Sequence, residues 1–286
     1  MRKLLLQLDT SPHASVFDRI VACDGGADEV MSYGGVTEDA VRDLVHGAIF
    51  TRGPKHLHNT AIFIGGTDVP SGERILASVL KSFFGPFRVS VMLDPHGCNT
   101  TAVAAVAKLQ QAGTVAGRRV VVTGGTGPVG LRAAGLLAKS GAHVIITSWR
   151  TDELALVEGV RRRFGGAVDG AIVPDESHAA AVLDGADMLL NAGAAGVRLV
   201  PREAWVGRLR AAADLNAVPP LGIEGIDVND DGVVREGVTT FGAIGVGGLK
   251  MKIHRACIAR LFERNDVVFD AEAIADVARE LTAAQS

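Results

Sequence analysis

The stretch that decides the fold is Arg119–Gly130, RVVVTGGTGPVG. A β-branched apolar run leads without interruption into Gly125-x-Gly127-x-x-Gly130, and a helical segment, Pro128–Lys139, follows. Dinucleotide chemistry needs that order. Gly125 permits a tight turn, Gly127 lets backbone N–H groups approach a pyrophosphate, and Gly130 allows the helix to pack closely on the strand. Pro128 suits a first helical turn, where its missing N–H costs nothing. The helix N-terminus then presents free donors and partial positive charge to phosphate. Gly125, Thr126, Gly127, Pro128, Val129 and Gly130 are therefore the expected phosphate cradle. A structural βα turn is the alternative for such a glycine pattern, but a second strand, His143–Thr147, follows in register and favours the cradle.

The end of that second strand decides the cofactor. NAD sites place an acid roughly 20 residues on, to hold the ribose 2′-OH. Here the strand end reads HVIITSWR, with Ser148 and Arg150 and no acid; Asp152 and Glu153 come late in the loop. A hydroxyl and a guanidinium suit a 2′-phosphate, so NADP is the expected cofactor and NAD the weaker alternative. Asn191, Ala192 and Gly193 follow a further predicted strand, Asp187–Leu190, and Asp214 and Asn216 close the next. Open α/β sheets bind ligands at such strand ends, so all five are expected near the cofactor, although strand-terminating turns use the same residue types.

Outward from this core, short apolar runs alternate with longer amphipathic ones, the pattern of βαβ units. Lys3–Leu8, Ala61–Ile64 and Val89–Leu93 read as strands. Helices are expected from Ser15, over Thr37–Val45, Gly72–Phe83 and Asn99–Gln111, and later over Asp152–Phe164, Ser177–Leu183, Gly245–Glu263 and Asp270–Ala284. The expected architecture is α/β with two domains: residues 1–113, and a Rossmann-type parallel sheet over 114–249. The carboxy-terminal helices, 250–286, are free to pack back on the first domain.

Composition excludes several classes. With 29 Lys+Arg against 32 Asp+Glu the net charge is −3, which gives no footprint for nucleic acid or an anionic membrane. The 35 glycines have no fixed period, so a collagen is excluded. Cys23, Cys98 and Cys257 are odd in number and widely spaced, fitting a reducing, cytoplasmic compartment. The apolar start MRKLLLQLD is too short for a signal peptide, and no run reaches the roughly 18 apolar residues of a membrane span. His13, His56, His58 and His96 lack metal-ligand spacing, so no metal is expected. DVNDDG, 227–232, begins like a calcium loop but has Val238 where the twelfth-position Glu belongs.

Several blocks have no generic structural explanation: SVFDRIVACDGGAD (15–28), IFTRG (49–53), AIFIGG (61–66), FFGPFRVSVMLDPHGCNTTA (83–102), GTGPVG (125–130), ADLNAVPPLGIEGID (213–227) and FGAIGVGGLKMKIHRACIARLFE (241–263). In these the chain resembles the NAD(P)-dependent methylene-tetrahydromethanopterin dehydrogenases of methylotrophic bacteria, over nearly its whole length. LDPHGCN and Trp149 depart from that pattern. The resemblance implies hydride transfer from methylene-tetrahydromethanopterin, and in some members methylene-tetrahydrofolate, to NADP. It also implies a pterin-binding amino-terminal domain, a Rossmann domain, a cleft between them and a homo-oligomer. For the pterin, polar residues at strand ends and helix starts are expected: Asp9, Thr10, Asp18, Asn99 and Thr100, the last two serving equally as helix caps. Asp94 is the carboxylate placed to stabilise a developing cation. Lys250, on one helix face with His254, is the expected orienting cation. Two other readings remain open at this point: a dehydrogenase of another small substrate on the same fold, and a non-catalytic NADP-binding sensor.

Overall fold

The computed structural model describes residues 1–283. Residues 284–286, part of the expected carboxy-terminal segment, lie outside the described residues. Met1–Thr100, with the chain from Met251 onward, forms one compact unit, and Thr101–Lys250 forms the other.

The first unit begins β1 (Leu4–Asp9), α1 (Val16–Asp24), β2 (Glu29–Tyr33), α2 (Glu38–Phe50), β3 (Thr60–Gly65), α3 (Val69–Lys81), β4 (Ser90–Leu93) and the start of α4 (Cys98–Gln111). Its strands are parallel in the order β4-β3-β1-β2. Leu6, Leu8, Ile62, Ile64, Val91 and Leu93 fill the core with Val41, Val45 and Ile49 of α2. Local chemistry sets the helix starts: the Ser15 hydroxyl accepts from the Asp18 amide, and the Asp68 carboxylate accepts from the Ser71 amide. β2 has no apolar run to announce it. Its Ser32 is drawn in by the buried Gln7 of β1, whose amide oxygen accepts from the Ser32 hydroxyl at 2.7 Å.

The second unit runs β5 (Arg119–Thr123), α5 (Pro128–Lys139), β6 (His143–Ser148), α6 (Ala155–Phe164), β7 (Ala167–Ile172), α7 (Ala179–Val182), β8 (Met188–Asn191), α8 (Arg202–Trp205), β9 (Ala211–Asp214), β10 (Asp231–Arg235), β11 (Val238–Phe241) and α9 (Ala243–Leu261). The sheet order is β10-β11-β9-β8-β5-β6-β7, with only β10 antiparallel. The strand order reverses between β5 and β8, and the carboxyl ends of those two strands flank the crevice where such sheets bind ligands. The chain then returns to the first unit with β12 (Val268–Phe269), which pairs with β4, and α10 (Ala271–Ala283).

Departures from the expected elements have local causes. The helix expected from Asp152 starts as a 3-10 turn over Thr151–Leu154, and only Ala155 begins the α-helix. β7 has no continuous apolar run, and Ala167–Ile172 is a strand because it pairs along all of β6. The β10–β11 hairpin went unforeseen: its turn rests on Glu236 (φ 50°) and Gly237 (φ 83°), both left-handed, as two-residue hairpins require.

The acidic turn at 227–232 serves this hairpin. Asp230 is buried, and its carboxylate accepts from Arg235 Nε and Nη2 (2.6 Å each), Thr240 Oγ1 (2.8 Å) and the Asp227 amide (3.1 Å). Burial pushes its carboxyl up, but the bonds from Arg235, Thr240 and Asp227 outweigh burial and hold it below the usual range. A carboxylate with a depressed folded pKa stabilises above its unfolded pKa, near 4, and loses that contribution as pH falls. Asp230→Asn is therefore expected to destabilise the fold by about 2–3 kcal/mol at pH 7 in urea unfolding. The gap from the parent protein should narrow steadily below pH 4.

Candidate functional site: a dinucleotide cradle and a polar strand-end cluster

At the end of β5 the backbone itself sets the shape. Gly124 adopts φ +58°, and a Cβ there would stand 2.4 Å from Gly193 Cα, in the loop after β8. The left-handed residue is thus Gly124, one position before the glycine expected to make the turn. Gly125 serves close packing instead, since a Cβ would meet the Val122 carbonyl oxygen at 2.8 Å. Gly130 lets the first turn of α5 lie on Gly125, with a would-be Cβ 2.6 Å from Gly125 Cα. Gly127 is different: it is the N-cap of α5, and a Cβ there would meet nothing within 4 Å. Open space at a helix N-terminus, reached by backbone N–H groups, is where an anion is held.

That space opens into a cavity of about 570 Å³. Thr126 and Gly127 line one side, Thr147, Ser148 and Glu153 the next, and Ala192 and Gly193 the third. A cradle that a side chain would fill, opening on a cavity of this size, fits a dinucleotide. Glu153 is the acid the strand-end reading set aside. Its Oε2 accepts from Ser148 Oγ at 2.5 Å and Thr126 Oγ1 at 2.7 Å, and those two bonds hold its carboxyl below the usual range. Arg150 is exposed; its Nη2 donates to Asp152 at 2.7 Å.

Asn191, Asp214 and Asn216 do not line the cavity but underpin it. Asn191 accepts from Thr123 Oγ1 (3.0 Å) and donates to Asp214 Oδ1 (2.7 Å). Asp214 also accepts from the amides of Asn216 (3.0 Å) and Ile223 (2.8 Å), while burial pushes its carboxyl up. Asn216 ties Gly196, Ala194 and Pro220 together. These three were expected as cofactor contacts; buried and mutually bonded, they hold the loop that carries Ala192 and Gly193.

In the first unit the predicted substrate residues gather at the carboxyl ends of β1, β3 and β4. Asp9 is buried and accepts from the amides of Ser11 (2.8 Å) and Ser15 (2.9 Å). Asp18 lies across from it: a Cβ added at Gly65 would sit 3.4 Å from a carboxylate oxygen of each. Thr10 Oγ1 is buried with no hydrogen-bond partner.

Asp94 requires a correction. It is wholly buried, with Oδ1 accepting from the Asn99 (2.9 Å) and Thr100 (3.0 Å) amides and Oδ2 from Thr100 Oγ1 (2.6 Å). Asn99 Nδ2 donates to the Leu93 carbonyl at 2.5 Å. Asp94, Asn99 and Thr100 thus fasten the start of α4 to the end of β4, and the carboxylate expected to face a cation faces its own helix. His254 of α9, buried and stacked on Phe63, lies 4.0 Å from Asp94 Oδ2. Burial, with the Asp94 charge adding to it, pushes the Cys257 thiol up to about 12, so it remains a neutral core side chain. Lys250 is half-buried on α9, one turn before His254. Among the described residues no His, Cys, Asp and Glu cluster could hold a metal ion, and no helix is long and apolar enough to cross a membrane.

Comparison with known proteins bears on this geometry directly. The family model described as methylene-tetrahydromethanopterin dehydrogenase, N-terminal, matches residues 16–96. The chain is 49% identical to the Bifunctional protein MdtA of Methylorubrum extorquens, over 98% of this chain and 99% of that one. It is 34% identical to the NAD(P)-dependent methylenetetrahydromethanopterin dehydrogenase of the same organism, over 93% of each. The chain belongs to the methylene-tetrahydromethanopterin dehydrogenase family. Shikimate 5-dehydrogenase of Listeria monocytogenes shares the fold, with a TM-score of 0.56 at 13% identity over 98% of this chain and 96% of that one.

Within this family member, sequence reasoning missed Trp149, Val173–Glu176 and Val197–Leu199 as cavity walls. They lie in loops after β6, β7 and β8, and only the strand-end rule could have pointed to them. The glycines separate fold from binding. Gly130→Ala forces a methyl against backbone and should cost about 2–4 kcal/mol in denaturant unfolding. Gly127→Ala should melt within about 2 °C of the parent, yet bind dinucleotide at least about tenfold more weakly by calorimetry.

Proposed function

We propose that the chain is an NADP-preferring methylene-tetrahydromethanopterin dehydrogenase, with NAD as a weaker cosubstrate. As an oxidoreductase of one-carbon metabolism it takes hydride from the methylene carbon of the pterin and leaves the methenyl compound. The observation that carries the reading is the glycine turn of β5–α5 opening onto the cavity in a chain of this family. When bound, the nicotinamide ring supplies the hydride acceptor. The amides of Thr126, Gly127, Val129 and Gly130 hold the pyrophosphate, and Ser148 with Arg150 takes the 2′-phosphate. Ala192 and Gly193 stand beside the nicotinamide end, kept in place by Asn191, Asp214 and Asn216.

In the first unit, Thr10 Oγ1 meets the pterin, with Asp9 and Asp18 ordering the loop beside it. Asp94, Asn99 and Thr100 act as positioning residues, and Lys250 is the orienting cation. The lone pairs of the pterin nitrogens stabilise the cation left by hydride departure, so no side chain has to move a proton in that step. Methylene-tetrahydrofolate is a further substrate in this reading. The enzyme is cytoplasmic and a homo-oligomer, which the exposed apolar face of Val16, Phe17 and Ile20 on α1 supports through contact with a second copy.

The deciding assay supplies each pterin with NADP and follows NADPH and methenyl absorbance. Turnover is expected, and none with either pterin overturns the reading. Arg150→Ala should raise the NADP KM about tenfold and leave the NAD KM within about twofold. Equal effects on both would remove Arg150 from the 2′-phosphate site.

A further inference from the structure

We infer that Glu153 limits the NADP preference of the cofactor site: its carboxylate occupies the hydroxyl donors that a 2′-phosphate needs, so that NADP enters only by displacing it. The inference rests on the dinucleotide reading above and deepens it. Ser148, at the end of β6, is buried to 5% exposure, and its hydroxyl is committed twice. It accepts from the Arg150 amide at 3.0 Å and donates to Glu153 Oε2 at 2.5 Å. Thr126, inside the phosphate turn, donates to the same oxygen at 2.7 Å. The other carboxylate oxygen lies 3.7 Å from Arg150 Nε, and Asp152 already forks onto that guanidinium through Nε (3.2 Å) and Nη2 (2.7 Å). Two carboxylates thus share one guanidinium, and the patch is net negative.

The two cofactors meet this patch differently. A ribose bearing a free 2′-OH brings a donor, which a carboxylate accepts, as acids at this strand end do in NAD sites. A 2′-phosphate brings close to two negative charges and only acceptor oxygens. It cannot bond to a carboxylate, is repelled by it, and needs the Ser148 and Thr126 hydroxyls and the Arg150 guanidinium for itself. The bonds from Ser148 and Thr126 also keep Glu153 ionised through the neutral range. Protonation therefore does not relieve the conflict. The side chain has to move, and the bonds it gives up are subtracted from NADP affinity but not from NAD affinity.

The test is calorimetric binding of 2′,5′-ADP and 5′-ADP, which differ in the 2′-phosphate alone, with NADP and NAD titrated in parallel. Glu153→Gln removes the charge, and Glu153→Ala also frees both hydroxyls. Each is expected to raise the preference for 2′,5′-ADP over 5′-ADP about tenfold or more. Trp149, exposed on the cavity wall, gives a second readout by fluorescence. In the double variant Glu153→Ala/Ser148→Ala the gain should largely disappear; a gain that persists overturns the competition for donors. A merely structural Glu153 would weaken both nucleotides alike and leave their ratio unchanged, which overturns the inference while the dinucleotide site stands. If the parent protein binds none of the four compounds, the dinucleotide reading itself falls.

Discussion

Backbone packs on backbone where β5 turns into α5, and the cofactor half of the molecule depends on it. Gly124 lies against Gly193, and Gly130 against Gly125, at separations no Cβ would permit. The first contact brings the loop after β8 up to the phosphate turn, and the second seats the helix N-terminus over the strand end. The ends of β5, β6, β7 and β8 meet at one cavity there. A methyl group at either contact would have to push apart main chains that are already fixed by the sheet, so the site and the fold fail together there.

Much of this was legible because backbone requirements leave a sequence trace. β5, its turn and α5 follow from a β-branched run, spaced glycines and a proline in the first helical turn. Parallel central strands such as Met188–Asn191 read as apolar runs because both faces are covered. Edge and small-residue strands were harder. Glu29–Tyr33 is a strand because Gln7 and Ser32 pair across the sheet, and Ala211–Asp214 is one because it pairs with β8 on one side and β11 on the other. In both, tertiary surroundings override a propensity that points elsewhere.

The site was legible in its chemistry and less so in its division of labour. Asp9, Asp94 and Asp214 each close a parallel strand, and an acid there looks the same in sequence whether it binds a ligand or its own loop. Each accepts two backbone amides from the segment that follows: Ser11 and Ser15, Asn99 and Thr100, Asn216 and Ile223. Every such bond satisfies an N–H that the strand-to-loop transition would otherwise bury unpaired. The acids are therefore anchors, and spacing could not reveal this, since their partners are main-chain groups that every residue possesses.

Glu153 inverts that arrangement, which is why it carries the specificity. Its donors are two hydroxyls, Ser148 and Thr126, each able to rotate toward a different acceptor, whereas amides in a helix start or a turn cannot. An anchor released from Asp94 would cost the start of α4 its satisfied amides; release of Glu153 frees two hydroxyls that an incoming phosphate can take up. A carboxylate near a strand end thus does opposite work according to whether its partners can turn. In this fold Asp9, Asp94 and Asp214, each tied to two main-chain amides, shape the site, whereas Glu153, held by two hydroxyls, is the carboxylate that a ligand can displace.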